Sequence, residues 1–364
     1  MYLHERNEWW RLRYDAETID TLLRYVHDRQ AHLSADVGKM WNEMQDDLTL
    51  SSLSDELVQS SAIEGERLDL TQVRSSIARR LGIDAAGLVP SSRYVDGIVE
   101  MLLDATQHHD RPLTDERLFG WHAALFPTGH SGPYRIEVAQ YRTGQMQVVS
   151  GPMGRERVHY VAPAPDRLPA EMGRFLAWVN APTEGEDGVL KAAIAHLWFV
   201  SIHPFDDGNG RIARAITDLL LSRAEGSSRR FYSMSSGIMR RRKDYYDVLE
   251  RTQRGDGDIT DWLRWFLACL SETIDTVLEM IPAIFHKHCF FYTHRGTAMN
   301  ERQRLLIGRL FDGLEGKLTA AKWAKLAKCS RAEAETDIAD LVSKDILRED
   351  QSARHPSYVV NDRS

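Results

Sequence analysis

The residues best suited to chemistry lie in one stretch, His203-Pro204-Phe205-Asp206-Asp207-Gly208-Asn209-Gly210-Arg211-Ile212-Ala213-Arg214. Proline ends the helix before it, and a turn over 206–210 leads into a new helix. A helix N-terminus offers free backbone N–H groups and the positive end of the helix dipole, which together bind anions. Gly208 and Gly210 let an oxyanion come close to the backbone. The whole turn, Asp206 and Asn209 included, is therefore predicted to line an anion site.

The charged side chains of this stretch indicate which anion it binds. Arg211 and Arg214 are three apart on one helix face, so both guanidinium groups can reach the same phosphate chain. Asp207 would repel phosphate unless a cation bridged them, which implies Mg²⁺ with its oxygen ligands. His203, just before the turn, is placed to act as a general base. Together these groups predict phosphoryl or nucleotidyl transfer.

Two other interpretations of the glycines fit less well. Gly208-x-Gly210-x-x-Ala213 satisfies a loose dinucleotide fingerprint, but that motif needs a strand before it. The preceding LKAAIAHLWFVSI has helical spacing instead. DDGNG is similar to a calcium loop, yet the twelfth position counted from Asp206 is Thr217 rather than the glutamate that such a loop requires.

At every fixed position the stretch matches the signature of the Fic family, H-P-F-x-[D/E]-G-N-G-R-x-x-R. This resemblance implies a helical enzyme core that transfers AMP from ATP to a Ser, Thr or Tyr hydroxyl of a target protein. It implies His203 as the base and Asp207 as the ligand of Mg²⁺ between the α- and β-phosphates. Gly208, Asn209 and Gly210 would form the anion hole, Arg211 would hold the phosphate chain, and Arg214 the γ-phosphate. Relatives that use another nucleotide, or that remove AMP, leave those alternatives open.

A second motif lies upstream, where Ser60-Ser61-Ala62-Ile63-Glu64-Gly65 matches the Fic inhibition motif [S/T]-x-x-x-E-[G/N]. A carboxylate at a helix end would form a bidentate pair with Arg214 and remove the partner of the γ-phosphate. Ser60, Glu64 and Gly65 are therefore predicted to be regulatory, on an inhibitory helix over about 51–65. From the residues alone, the segment would be a helix terminus with a solvated glutamate, and it is the resemblance that favours regulation.

Two further segments resemble parts of the same family. QMQVVSG and RVHYVAP are β-favouring runs that flank a glycine-containing turn at 151–154, which predicts a hairpin. The resemblance implies a flap on which Gln147, Val148 and Val149 dock the backbone of the target by strand addition. Tyr245 and Tyr246 resemble the segment near the adenine. Ordinary core aromatics are an equal alternative for this pair.

Most of the chain is predicted to be helical, so the expected fold is mainly all-α, with the hairpin flap attached to a Fic-type core. The apolar spacing predicts a first helix over 16–47 and a second over 51–63, and Gly65 is a plausible stop. Further helices are expected over 69–81, 92–109, 114–125, 166–179, 188–202, 209–223, 241–253, 258–284, 301–313, 319–328 and 330–344.

The expected domains are an N-terminal helical region over 1–85, a catalytic domain over 86–290 and a winged helix-turn-helix over 298–364. Residues 299–364 hold 12 Lys and Arg against 11 Asp and Glu, and the recognition helix SRAEAETDIADLVSKD is acidic. A helix that enters a groove lined by phosphates should not be acidic. Protein interaction or dimerisation is therefore preferred for this module, and a DNA-binding regulator is the disfavoured alternative.

The composition is consistent with ATP and a target protein as the partners of this chain. The chain has 364 residues, a net charge of −7 and three cysteines that are far apart and form no CxxC. These features exclude a disulfide framework and a cysteine zinc site and suit a reducing cytosol. The start is charged where a signal peptide is apolar, and no run reaches the length of a membrane span. A cytoplasmic location without membrane contact is the expectation.

Overall fold

The computed structural model describes residues 1–83, 88–151, 155, 157–182, 185–311, 317–350 and 356–361. Helices dominate this part of the chain, and the few strands are short, which confirms the mainly helical fold. The described residues form two compact units, one of 1–39, 45–83 and 88–277 and the other of 40–44 and 278–364. No helix within the described ranges is long and apolar enough to cross a bilayer.

The helices, in chain order, are α1 (Ala16–Val37), α2 (Asn42–Ile63), α3 (Leu70–Leu81), α4 (Arg93–Gln107), α5 (Asp115–Leu125), α6 (Leu168–Asn180), α7 (Gly188–Ile202), α8 (Asn209–Glu225), α9 (Met234–Arg240), α10 (Arg242–Gln253), α11 (Thr260–Thr293), α12 (Glu301–Phe311), α13 (Ala320–Ala327) and α14 (Arg331–Ser343). The strands are β1 (His130–Ser131), β2 (Tyr134–Arg135), β3 (Gln147–Ser150), β4 (Arg157–Val161), β5 (Leu347–Glu349) and β6 (Tyr358–Val360).

The predicted boundary between the first two helices is wrong. The chain breaks at Gly38, directly after α1, and α2 then runs without interruption from Asn42 to Ile63. Apolar side chains of α2 are buried on both sides of the predicted boundary near Ser51, including Leu48 and Leu53. Burial against the rest of the unit therefore keeps α2 in one piece, since tertiary packing overrides local propensity.

Two other helices differ from the expectation. The prediction missed α9, which is only seven residues long and carries Gly237 in its middle. A Cβ at Gly237 would lie 2.4 Å from Thr273 Oγ1, so close packing against α11 explains a glycine there. The prediction also ended α11 near 284, whereas the helix continues to Thr293 with Pro282 inside it.

The centre of the first unit is formed by α7 and α8. Every side chain of α7 from Val189 to Ile202 is buried, which is why this helix shows apolar residues all round rather than one stripe. On α8 the buried residues run from Arg211 to Ser222, and they include both arginines of the signature. The loop 203–208 joins these two helices, so the candidate catalytic residues are fixed between two rigid, buried elements.

The predicted hairpin is present as an antiparallel pair of β3 and β4. Gln147 pairs with Val161, and the register shifts between Val148 and Val149. Of the predicted turn at 151–154, residues 152–154 lie outside the described residues. Tyr160, on β4, is buried and donates a 2.6 Å hydrogen bond to the carbonyl of Ser201, which ties the hairpin to the last turn of α7.

The second unit contains α12, α13 and α14 followed by the antiparallel pair β5–β6. A bridge between Leu318 and Tyr358 adds a third extended segment. Trp323 is fully buried, and its indole N–H points at Asp337, which also accepts hydrogen bonds from Asn300 and Arg302. A polar hub therefore joins α12, α13 and α14 around a small apolar core.

Candidate active site

His203 directly follows the last residue of α7 and caps the helix. Its backbone adopts the left-handed conformation, with φ +51°. A non-glycine residue there is strained, and Pro204 prevents the helix from continuing. The imidazole Nδ1 lies 3.2 Å from the carbonyl of Val200. Because a carbonyl only accepts, Nδ1 carries the proton and Nε2 keeps its lone pair.

The electrostatic surroundings keep this imidazole neutral. Burial lowers the pKa of His203 below its usual value, and the charge of Arg142 lowers it further. The Val200 carbonyl and the carboxylates of Glu64 and Asp207 act in the opposite direction, but they are outweighed. A neutral imidazole with a free lone pair at neutral pH is the form that can take a proton from a hydroxyl.

Asn209 holds the turn in shape with its side chain. Its amide accepts from the Phe205 N–H at 3.0 Å and donates to the Phe205 carbonyl at 2.8 Å. Phe205 is buried and stacks on His122 with ring centroids 4.3 Å apart. With its side chain occupied in this way, Asn209 can contribute to the predicted anion site only through its backbone.

Gly208 precedes α8 with φ +81°, and a Cβ at this position would lie 2.9 Å from the ring of Phe126. Both the conformation and the lack of space require glycine. Because glycine has no side chain, no capping group competes for the first N–H groups of α8. The start of α8 therefore has the character of the predicted anion site.

The two acidic residues of the turn differ in their surroundings. Asp206 accepts a 2.9 Å hydrogen bond from the backbone N–H of Glu137, so its carboxylate anchors the loop. Asp207 accepts from the Gly208 N–H at 2.6 Å and from the hydroxyl of Ser131, and its side chain is 42% exposed. Of the two, Asp207 has the open carboxylate that a metal ion could reach.

Arg214 is almost fully buried and is held by the end of α2. Its Nη2 lies 2.8 Å from Glu64 Oε1 and 2.9 Å from the Ser60 carbonyl, while its Nε donates to the Ser60 hydroxyl at 2.8 Å. The predicted bidentate pair is therefore wrong, because Ser60 takes the Nε edge and one carboxylate oxygen bonds Nη2. Burial acts to lower the pKa of Arg214, but the carboxylate of Glu64 and the neighbouring tyrosines outweigh it and leave the pKa raised, so the guanidinium stays charged.

The turn after α2 delivers Glu64 to this position. Gly65 has φ +85°, the Glu66 N–H bonds the Ser61 carbonyl, and the Gly65 N–H bonds the Ala62 carbonyl, which is the Schellman pattern of a helix end. A Cβ at Gly210 would lie 2.2 Å from Glu64 Oε1. The carboxylate thus lies directly against the first turn of α8, where an anion would bind.

A second carboxylate, which the sequence did not indicate, lies on the second arginine. Glu66 Oε2 is 2.9 Å from Arg211 Nη1, and the hydroxyl of Tyr94 bonds the same carboxylate oxygen. Arg211 is buried and also lies over the ring of Phe126. The sequence offers one signal for this contact, the second acidic residue in Glu64-Gly65-Glu66. Without the structure, that residue is expected to be a solvent-exposed charge.

The two tyrosines predicted near the adenine lie in different environments. Tyr245 is buried, and its hydroxyl is 2.8 Å from His196 Nε2 within an aromatic cluster that includes Trp262. Tyr246 is 37% exposed, lies under Arg242 and is 3.4 Å from the Ile63 carbonyl. Tyr245 is therefore an aromatic residue of the core. Of the two tyrosines, only Tyr246 is exposed enough to contact a ligand.

Two buried histidines of this unit predict acid sensitivity. Burial lowers the pKa of His122 to about 4 and that of His196 to about 3. The unfolded chain binds these protons near pH 6.5, so the stabilisation is present above that pH and is lost as pH falls. We expect each histidine to remove about 2 kcal/mol of unfolding free energy between pH 7 and pH 5. Urea unfolding at the two pH values measures this loss.

The control for this prediction is the exposed His32. Replacing His122 with Gln should flatten the dependence of unfolding free energy on pH, whereas His32→Gln should leave it unchanged. An unchanged pH dependence in His122→Gln would contradict the assignment.

The helical core, the short glycine turn and the paired buried arginines form a site suited to an anionic ligand, and part of the chain matches a known family model. Residues 112–221 match the model of the Fic/DOC family, which covers α5 to α8 and the whole signature. The chain thus contains a Fic/DOC domain, as the sequence resemblance predicted. Residues 2–83 match a separate domain of unknown function.

Curated relatives include two proteins named protein adenylyltransferase Fic. The one from Nematostella vectensis is 28% identical over 224 residues, which are 60% of this chain and 47% of that protein. The one from Drosophila ananassae is 29% identical over 227 residues, 62% of this chain and 41% of that protein. The chain therefore spans less than half the length of these relatives.

Solved structures support the fold. A Fic family protein from Desulfovibrio desulfuricans is 20% identical, with a TM-score of 0.55, and the match covers 95% of this chain and 97% of that one. A Fic domain containing signaling protein from Bacteroides thetaiotaomicron is also 20% identical, with a TM-score of 0.52 over 73% of this chain and 96% of that one. The helical architecture is thus that of Fic proteins.

Proposed function

We propose that this chain is a protein adenylyltransferase that transfers AMP from ATP to a Ser, Thr or Tyr hydroxyl of a target protein. The observation that carries the proposal is the arrangement of a neutral His203 directly before an uncapped helix start that bears two buried arginines. The names of the curated relatives support the same activity.

In the proposed step, the target hydroxyl oxygen attacks the α-phosphorus of ATP. The new bond joins that oxygen to phosphorus, the bond from the α-phosphorus to the bridging oxygen breaks, and pyrophosphate leaves. The hydroxyl proton passes to Nε2 of His203, whose Nδ1 is already protonated and bonded to Val200. Backbone N–H groups of Asn209 and Gly210 stabilise the charge on the α-phosphate, since donors fixed in advance lower the barrier most. The Gly208 N–H joins them only if it leaves the Asp207 carboxylate, to which it is bonded here.

The two arginines bind the rest of the phosphate chain. Arg211 and Arg214 are buried, so they bind phosphate in surroundings where charge-assisted hydrogen bonds are strong. Arg214 Nη1 has no hydrogen-bond partner within the described ranges, which leaves a donor for a γ-phosphate oxygen. Tyr246 is the residue we assign to the adenine side.

Asp207 is the residue that fits Mg²⁺, because its carboxylate is exposed and offers the hard oxygen that this ion prefers. Three or more acidic, His or Cys side chains nowhere converge in the described part of the chain, so phosphate and water would supply the other ligands. When bound, the ion would supply positive charge that offsets the charge of the phosphate chain. Ser131 holds Asp207 in position through its hydroxyl.

The target backbone would pair with the outer edge of β3. This sheet has two strands in the described part of the chain, and Gln147 and Val149 are exposed. On the other side of the sheet, Arg254 already bonds the carbonyls of Val158 and His159. The edge that remains for strand addition is therefore the one that contains Gln147, Val148 and Val149.

We further propose that the resting site is autoinhibited by the segment after α2. Glu64 occupies Arg214, and its carboxylate lies against Gly210, so productive ATP must displace it. Glu66 occupies Arg211 in the same way. The C-terminus of α2 is held by Arg242, which donates to the Ile63 carbonyl at 2.8 Å. Release therefore involves the turn at 64–66 rather than departure of the helix.

The Glu66 contact gives a testable prediction. In a Glu64→Gly background, Glu66→Gln should tighten ATP binding by about 5- to 10-fold, because a charged partner of Arg211 is replaced by a neutral one that is easier to displace. Calorimetric titration with ATP and Mg²⁺ measures the change. The matched control is Glu17→Gln at the exposed start of α1, which should leave affinity unchanged; equal affinity in both variants would exclude a role for Glu66.

For the C-terminal module we propose a winged helix-turn-helix that serves protein interaction or homodimerisation. The exposed residues of α14 include Glu333 and Glu335, and the nearby Arg331 is paired with Glu335, so this helix offers no positive face to nucleic acid. Retarded migration of duplex DNA that weakens with salt would contradict this assignment.

The position of the label tests the transfer itself. The Glu64→Gly protein with Mg²⁺ should acquire label from ATP that carries it in the α-phosphate and none from ATP that carries it in the γ-phosphate. The reverse pattern would identify a phosphoryl transferase and exclude the proposed step.

A further inference from the structure

Arg142 lies in the segment between β2 and β3 and is only 2% exposed. Its guanidinium donates three hydrogen bonds, from Nε to the His203 carbonyl at 2.8 Å, from Nη1 to Gly144 at 2.8 Å and from Nη2 to Pro163 at 2.7 Å. Each of these bonds ends on a backbone carbonyl rather than on a carboxylate. The carboxylate of Asp206 acts on this charge without a hydrogen bond to it. A buried charge whose direct partners are all carbonyl dipoles is costly, so it needs a role beyond packing.

The three carbonyls belong to separate segments. Gly144 precedes β3, Pro163 follows β4, and His203 begins the catalytic turn. The backbone of Arg142 adds a fourth connection, because its N–H bonds the Pro204 carbonyl at 2.9 Å. One residue therefore joins both ends of the hairpin to the peptide that carries the candidate base.

The attachment to His203 is significant because of the conformation of that residue. His203 has φ +51°, which persists only where surrounding contacts hold it. Arg142 contacts the carbonyls of His203 and Pro204, which are the two peptide groups that follow the strained position. Losing these bonds would let the peptide relax and turn the imidazole away from the start of α8.

We propose that Arg142 is a positioning residue, which fixes the His203 backbone for proton transfer and holds the docking hairpin in register with it. This inference rests on the proposed adenylyl transfer. The fork of a guanidinium can reach three carbonyls at once, whereas a lysine ammonium keeps the charge but lacks that geometry. The two functions of the side chain, charge and shape, can therefore be separated by substitution.

The experiment compares Arg142→Lys and Arg142→Met in the Glu64→Gly background, with self-modification by ATP as the readout. Both variants should lower the maximal rate by about 10- to 100-fold, as small misplacements of a catalytic group do. The ATP concentration for half-maximal rate should change little. Arg142→Met alone should also move the acid limb of the pH profile to higher pH, because the positive charge that lowers the pKa of His203 is gone.

The groups that face His203 make this pH readout specific. Arg142 is the positive group of its surroundings, and Glu64 and Asp207 are the negative ones. Since Glu64 is absent from the background, the Val200 carbonyl and the carboxylate of Asp207 remain to oppose Arg142. A merely structural role would lower the folded fraction, measured by ATP binding, in both variants without moving the acid limb. That result, or an unchanged maximal rate in Arg142→Met, would overturn the proposal.

A second readout distinguishes failure of this inference from failure of the proposed function. If Glu64→Gly transfers nothing, the activity proposal fails, and NMR titration of the His203 imidazole still tests Arg142. We expect the His203 pKa to rise in Arg142→Met and to stay near that of the parent in Arg142→Lys, with displaced ring resonances in both. Resonances and pKa that match the parent in both variants would overturn the positioning role.

Discussion

Glu64→Gly should turn a nearly silent protein into an active transferase. Removing the carboxylate frees one N–H of Arg214 Nη2, whose other bond goes to the Ser60 carbonyl, and clears the space above Gly210. The γ-phosphate then no longer has to displace a charged partner. Hydrogen bonds between charged groups contribute about 1.5–3 kcal/mol, which corresponds to a gain of about 10- to 100-fold in transfer rate. The rate of label incorporation from α-labelled ATP, compared with the parent, measures the gain.

The control for this gain is a conservative change at the same position. Glu64→Asp shortens the side chain but keeps the charge, so it should stay much closer to the parent than Glu64→Gly does. Gly also loosens the turn after α2, and Glu64→Ala separates that effect because it removes the carboxylate but keeps the Cβ that restrains the backbone. If neither Glu64→Gly nor Glu64→Ala exceeds the parent, Glu64 is not inhibitory.

His203→Ala in the Glu64→Gly background should remove transfer almost completely. General bases contribute about 10²- to 10⁴-fold. Of the described histidines, the neighbouring His122 cannot replace His203, because it is buried against Phe205. ATP affinity should change little, since the phosphate chain is bound by Arg211, Arg214 and the start of α8. Label incorporation and ATP calorimetry on the same preparation separate chemistry from binding.

His32→Ala, on the exposed face of α1, serves as the histidine control and should retain the activity of Glu64→Gly. Melting temperatures of the variants exclude unfolding as the cause of a loss. Transfer that survives in His203→Ala at a rate close to the background would refute the general-base role of this residue.

The sequence predicted the helical core, because period-3.6 apolar patterns are local and helix stops such as Gly65 have a specific chemistry. It also predicted the contact between Glu64 and Arg214, since a family motif encodes that pair. The bidentate geometry was wrong, because the competing bonds from Ser60 depend on how α2 packs beside α8. The role of the Asn209 side chain was likewise not predictable, because its amide bonds the Phe205 backbone within the loop.

Residues whose partners are distant in the chain leave no pattern in the sequence from which their contacts could be predicted. Arg142 bonds carbonyls that lie 2, 21 and 61 positions away, and no spacing rule connects them. Glu66 reaches Arg211 only because the turn after α2 places it there. The helix boundary predicted near residue 51 was wrong, because burial of apolar side chains on both sides of it keeps α2 in one piece.

Intact-mass spectrometry of the Glu64→Gly protein after incubation with Mg²⁺ and each nucleoside triphosphate tests the central claim most directly. The mass of the added group identifies what is transferred, without any assumption about the acceptor. The proposed function predicts an increase equal to one AMP moiety, or a multiple of it, with ATP, and no increase when His203→Ala is also present. An added phosphate, an increase that does not depend on His203, or no increase with any nucleotide would contradict it.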